Sequence, residues 1–150
     1  PVDLFAPLAR VGELAERLAE RAAGPERPLV VYAENSFHGK TKGVLSITDG
    51  PLYRGEFKLL DNGVKVPFGD IEAVEAAFKA HPEIGVICLE TVQGGGGIIG
   101  ADSAFWHKLR DLCDEHDVIW VADEVQCGLG RTGRFYAFEH HGVVPDVDRK

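Results

Sequence analysis

Val118-Ile119-Trp120-Val121-Ala122-Asp123-Glu124-Val125-Gln126-Cys127-Gly128-Leu129-Gly130-Arg131-Thr132-Gly133 is an apolar run that stops on two carboxylates and an amide and then turns to glycine. Its first five residues show no polar alternation and are rich in β-branched side chains. They predict a strand covered on both faces, the habit of parallel sheets in α/β domains. Ligands in such sheets bind just past the carboxyl ends of the strands, so Asp123, Glu124 and Gln126 stand where a site would form. The glycines beyond them permit tight turns or close backbone approach to a ligand. A carboxylate buried at such a strand end costs free energy unless a positive charge or several donors compensate it. A metal ion, a protonated heterocyclic nitrogen, or an arginine such as Arg131 or Arg134 in a structural ion pair would each meet that need.

Working outward, residues 84–89 form a second buried run, and it also ends on a carboxylate, Glu90, followed by Gln93 and glycines at 94–97. Between the two runs the spacing predicts a helix over 103–116 that buries Phe105, Leu109, Leu112 and Cys113, which gives the connection length of a βαβ unit. Asp70 is a candidate N-cap for a helix presenting Ile71, Val74 and Phe78 and closing before Pro82. Further upstream, 29–33 reads as a short buried strand leading into the polar loop 34–41. Residues 8–22 carry apolar positions at helical spacing until Gly24-Pro25 stops them, and 53–62 reads as irregular. The expected fold is α/β, with a mostly parallel sheet flanked by helices.

At 150 residues, 45% hydrophobic and 27% charged, the chain has the make-up of one globular core. A net charge of -8 and a pI near 5.2 argue against nucleic acid or an anionic membrane surface as the main partner. No apolar run is long enough to span a bilayer, and Pro1-Val2-Asp3 lacks the features of a signal peptide, so a cytoplasmic protein is expected. The three cysteines are odd in number and lack CxxC spacing, which points to reduced thiols and to neither a disulfide framework nor a zinc site. Adjacent His140 and His141 point apart on a helix or strand and read as a solvated pair; no metal is expected. The chain begins at proline and stops just after a strand-like beginning at 147, and it reads as a piece of a longer protein.

Two chemistries are set aside on spacing. Gly39-Lys40-Thr41 resembles the end of a phosphate loop, but GxxxxGK[ST] requires glycine where Glu34 stands, and a glutamate there would repel the phosphates. Cys127 lies beside glycines, a place that suits a nucleophile, yet no histidine spacing selects a base for it, and free cysteines are usually buried fillers.

Three separated blocks agree on a third chemistry. Ser36-Phe37-His38-Gly39-Lys40-Thr41, Leu89-Glu90-Thr91-Val92-Gln93-Gly94 and the block from Ala122 to Gly133 together resemble the class III aminotransferases, over about residues 30–147. That family comprises the ω-amino, ornithine, acetylornithine, 4-aminobutyrate and diaminobutyrate transaminases. The resemblance implies part of the large, cofactor-binding domain of a fold-type-I transferase, pyridoxal 5'-phosphate as cofactor, and transfer of an amino group from an amine or ω-amino acid to a 2-oxo acid. It gives Asp123 the catalytic task of pairing with the pyridinium nitrogen, Val125 one ring face, Phe37 the other, and Gln126 the phenolic oxygen. His38 is placed beside the substrate pocket, and Glu90 becomes a hydrogen-bonding group behind it. Lys40 replaces a family arginine that meets a substrate carboxylate, keeping the charge but losing the bidentate fork. Gly95 stands where many members carry a glutamate that pairs with a substrate-gating arginine, and Arg131 is as fit to hold a subunit interface or loop as to touch substrate.

The lysine that forms the Schiff base falls beyond Lys150 in the family. The serine- and glycine-rich turn that grips the phosphate would precede the first helix, where this chain reads Phe5-Ala6-Pro7-Leu8-Ala9-Arg10-Val11-Gly12. The expectation is therefore a chain that carries the ring-binding half of a site, does not transaminate alone, and belongs to a homodimer when intact. The rival expectation is a truncated or degenerate, non-catalytic aminotransferase-like module.

Overall fold

The computed structural model describes residues 6–149, without the side chains of 6–12, 14, 16 and 149. Lys150 and the side chains of the segment expected to hold the phosphate turn lie outside the described residues. In chain order the elements are α1 (Ala6–Ala23), β1 (Leu29–Ala33), the short helices α2 (Lys42–Ser46) and α3 (Pro51–Arg54), β2 (Gly63–Val66), α4 (Ile71–Ala80) and β3 (Ile84–Glu90). There follow β4 (Val92–Gln93), β5 (Ile99–Gly100), α5 (Ser103–His116), β6 (Ile119–Asp123), a 3₁₀ turn (Ala137–His141) and β7 (Val147–Arg149).

One sheet of order β2-β1-β3-β6-β7 forms the centre, and its neighbouring strands pair in parallel. Strand β3 is buried at all seven positions, which is why its sequence shows no alternation. The two-residue period still sorts its side chains by face. Val31, Ile87, Leu89 and Trp120 meet Val74 and Phe78 of α4 and Leu109 and Leu112 of α5. On the opposite face Val30, Tyr32, Val86, Cys88 and Val121 meet Ala15 and Ala19 of α1. The result is a helix–sheet–helix sandwich in which each fully buried large apolar side chain contributes roughly 1.5–3 kcal/mol.

Local signals set the helix ends. Asp70 accepts from the Ala73 N–H at 2.9 Å and Asp102 from the Phe105 N–H at 2.8 Å, filling donors that the first turns leave open. Helix α5 ends on Asp117 in the left-handed region at φ 53, and the Arg27 guanidinium then reaches the carbonyls of His116 (2.9 Å) and Ile84 (2.7 Å), tying helix end to strand start. Trp106, which the sequence reading did not place in the core, stacks on Trp120 at 5.6 Å between ring centres.

The stretch expected to be irregular begins inside α3, where Pro51 occupies the first helical turn, and leads into β2, an edge strand with only Val66 buried. Among the described residues no helix is long and apolar enough to cross a membrane.

Candidate active site

The topology marks where a ligand would sit. From β1 the chain moves outward to β2, then crosses back through α4 to β3 on the other side of β1. Neighbouring strands whose connections leave in opposite directions open a crevice at their carboxyl ends. A cavity of about 510 Å³ lies there, lined by Phe37 from the β1 exit, Glu90 and Gly95 from the β3 exit, Gln126 from the β6 exit, and Asp49 and Tyr53 from the segment around α3.

Glu90 and Asp123 stand in register at the ends of β3 and β6, exposed by only 4% and 3%. Asp123 is held from two sides: its Oδ1 accepts the Val125 N–H at 3.2 Å, and its Oδ2 lies 2.8 Å from His38 Nδ1. His38 is fully buried, its backbone N–H donates to Thr48 Oγ1 at 2.9 Å, and Cys88 Sγ lies 3.7 Å from the same ring nitrogen. Burial alone would push the imidazole pKa down. The adjoining Cys88 sulfur and Asp123 carboxylate outweigh it and hold His38 well above the ordinary value. The structure thus supplies Asp123 with an imidazole partner.

Glu90 is pushed up from the ordinary carboxylate value, first by burial and also by Asp123, against the opposing pull of His38 and of backbone groups at Phe37 and Gly94. Its Oε2 accepts the Phe37 N–H at 3.2 Å and so fastens the β1 exit loop to the end of β3.

The residues singled out in the sequence divide into those on the cavity wall and those behind it. Phe37 is half-buried on the wall, its ring edge-to-face with Tyr53 at 5.2 Å, and Gln126 is exposed there. Val125 is half-buried beside Asp123. His38, expected next to a substrate pocket, sits instead in the interior against Asp123, because the β1 exit loop turns inward after Phe37. Lys40 places its Nζ 5.6 Å from the Tyr53 ring centre and lines a second cavity of about 440 Å³ with Lys42 and Phe57. At Gly95 a Cβ would lie 3.3 Å from the Asn35 carbonyl oxygen.

Arg131 donates to the Gly128 carbonyl at 2.9 Å and braces its own loop. Cys127 is buried, and burial followed by the nearby Glu124 charge pushes its thiol up to about 12, which removes it as a nucleophile. His140 Nε2 lies 2.9 Å from the Thr132 carbonyl and His141 Nδ1 2.9 Å from Ser103 Oγ, so the pair pins a loop and a helix start. Among the described residues no cluster of metal-ligating side chains occurs. Asp49 and Tyr53 are cavity residues that sequence reasoning missed; their only signal is the turn Asp49-Gly50-Pro51 before the aromatic.

A parallel α/β sheet with in-register carboxylates ending β3 and β6, beside a switch-point crevice, is the framework of a fold-type-I transferase. Within that class, the chain belongs to the aminotransferase class-III family, whose pattern matches residues 11–148. It is 43% identical over 136 residues to the acetylornithine aminotransferase of Methanocaldococcus jannaschii, covering 90% of this chain and 34% of that one. The ornithine aminotransferase of Toxoplasma gondii, solved with pyridoxal phosphate at partial occupancy in its active site, matches with a TM-score of 0.86 and 28% identity, over 94% of this chain and 35% of that one. An N-acetylornithine aminotransferase from Stenotrophomonas maltophilia matches with a TM-score of 0.70 and 28% identity, over 95% and 34%. The chain therefore spans about a third of the length of the relatives it matches.

Proposed function

We propose that residues 1–150 are part of the cofactor-binding large domain of a pyridoxal-phosphate-dependent aminotransferase. In the intact protein it would move an amino group from an amine or ω-amino acid to a 2-oxo acid. The observation that carries the reading is Asp123, a buried carboxylate oriented by two donors and set in register with Glu90, whose own side chain lines the switch-point cavity with Phe37 and Gln126.

Phe37, Glu90 and Gln126 on the cavity wall support a place for the ring of the cofactor, with Asp123 and Val125 next to that wall at the end of β6. Asp123 would face the ring's nitrogen, Phe37 and Val125 its two faces, and Gln126 its phenolic oxygen, with Glu90 and Lys40 nearer the substrate. Among the described residues no basic side chain lines the cavity, and the segment expected to grip the phosphate lies outside them. When bound, the cofactor supplies an electron sink for carbanion chemistry. The residues of this chain supply orientation: His38 and the Val125 N–H fix the two oxygens of Asp123, and Glu90 fixes the loop that carries Phe37.

The intact protein is further proposed to be cytoplasmic and, by resemblance to the class III aminotransferases, a homodimer. A second reading, a transaminase-like module kept for protein association, draws on exposed Leu52 and Phe57 beside the site.

Pyridoxine 5'-phosphate tests the first reading, since it has no aldehyde with which to modify surface lysines. Titration into the chain, followed by ligand fluorescence, should show saturable binding that Asp123→Asn weakens by about tenfold or more, the effect of removing a charge-assisted hydrogen bond. Equal binding by both proteins would favour the association module.

A further inference from the structure

Glu124 follows Asp123 directly, is fully buried, and has no ion-pair partner among the described residues. Four donors compensate it instead. Oε1 accepts from Thr91 Oγ1 at 2.6 Å and the Phe138 N–H at 3.1 Å; Oε2 accepts from the Ala137 N–H at 2.8 Å and Cys127 Sγ at 3.5 Å. A carboxylate offers about four lone-pair sites, so none remains for a ligand, and the side chain instead ties three pieces of chain together. These are the exit of β3, the turn after β6, and the start of the 3₁₀ turn at Ala137.

The turn itself is tight. The Gly128 N–H donates to the Glu124 carbonyl at 2.7 Å, and a Cβ at Gly128 would stand 2.9 Å from that oxygen. Between the tied ends, residues 129–135 run across the surface with left-handed backbone at Leu129, Gly130 and Gly133 and open space around both glycines. Gln126 projects from the base of this excursion onto the cavity wall.

Thr91 and Glu124 also lie one step past the register pair Glu90 and Asp123. Their bond cross-ties β3 and β6 at the point where two like charges would otherwise push the strand ends apart.

We propose that Thr91 and Glu124 are positioning residues that hold Gln126 on the cavity wall for the ring of the cofactor. The inference rests on the ring-binding reading above and adds the part of the chain that makes it geometrically possible. Neither residue touches the ring; both act through Gln126.

The test uses the whole chain with Thr91→Val, which removes the shortest of the four bonds and keeps the side-chain shape, and Thr91→Ser, which restores the hydroxyl. Circular dichroism checks the fold of each. Thr91→Val should weaken pyridoxine 5'-phosphate binding about tenfold, the scale of one hydrogen bond to a charged group, and Thr91→Ser should recover it. Gln126→Ala should weaken binding in the natural chain but add nothing in the Thr91→Val background, a coupling that a purely structural role would not produce. Trypsin should cut after Arg131 and Arg134 several-fold faster in Thr91→Val. Additive losses for Gln126→Ala, or unchanged cutting, overturn the proposal. If the natural chain does not bind pyridoxine 5'-phosphate, the ring reading falls, and the trypsin arm decides alone: faster cutting upholds the tie on Gln126, unchanged cutting removes it.

Discussion

Because His38 and Glu90 both hold their protons more tightly in the folded chain than in the unfolded one, they bind the molecule's stability to pH in the same direction. A group whose folded value is raised stabilises fully below its unfolded value and loses that contribution as pH rises through the folded value. For Glu90 the loss starts above the ordinary value of 4.5, and for His38 above 6.5. The urea midpoint of the natural chain should therefore fall relative to that of His38→Gln as pH climbs above about 6.5, since His141, whose value is lowered, acts alike in both. A difference between the two that does not change with pH would contradict the assignment of the buried imidazole. At this scale the carboxylate was legible and its partner was not. Asp123 announces itself because a polar residue ending an apolar run must be compensated. His38 lies 85 residues away, and nothing in Phe37-His38-Gly39 tells which way the imidazole turns; only the packing of the β1 exit loop against β3 and β6 decides it.

Elements were most readable where a period and a cap coincide. Helix α5 spans the residues its pattern predicted, because Asp102 opens it and the turn at Asp117 closes it; α4 is read as well from Asp70. The short helices α2 and α3 and edge strand β2 escaped, since a helix of four or five residues holds too few positions to establish a period and a mostly exposed edge strand lacks the continuous apolar run that marks β1 and β6. Strand β3 contains one position whose reason is visible only in three dimensions. At Gly85 a Cβ would stand 2.4 Å from the Arg27 carbonyl oxygen and 2.6 Å from the Ala23 Cβ, so the end of α1 presses directly on the strand. Gly85→Ala should cost about 1–3 kcal/mol by overpacking, despite alanine's lower backbone entropy. Chemical denaturation should show a lowered midpoint with an unchanged slope. An unaltered midpoint would mean that α1 is not seated there.

On the scale of the whole molecule, three thiols report on whether the sandwich opens as one body. Cys88 faces the α1 side of the sheet, Cys113 the α4 and α5 side, and Cys127 the tie around Glu124. All three are buried, and burial pushes Cys113, like Cys127, up to about 12. Thiolate is the reactive form, and a thiol at that value is ionised at pH 8 to the order of one part in ten thousand. An aromatic disulfide reagent should consequently find almost no reactive thiol in the native chain and three in urea. Because the three sit in different layers, native-state reaction should proceed in a single phase at the rate of global unfolding. A fast phase worth one thiol, lost on replacing Cys127 by serine, would show that the turn after β6 opens independently of the sheet. Gln126 would then have to be ordered by the ligand itself, and the site would be assembled on binding instead of being held ready by the fold.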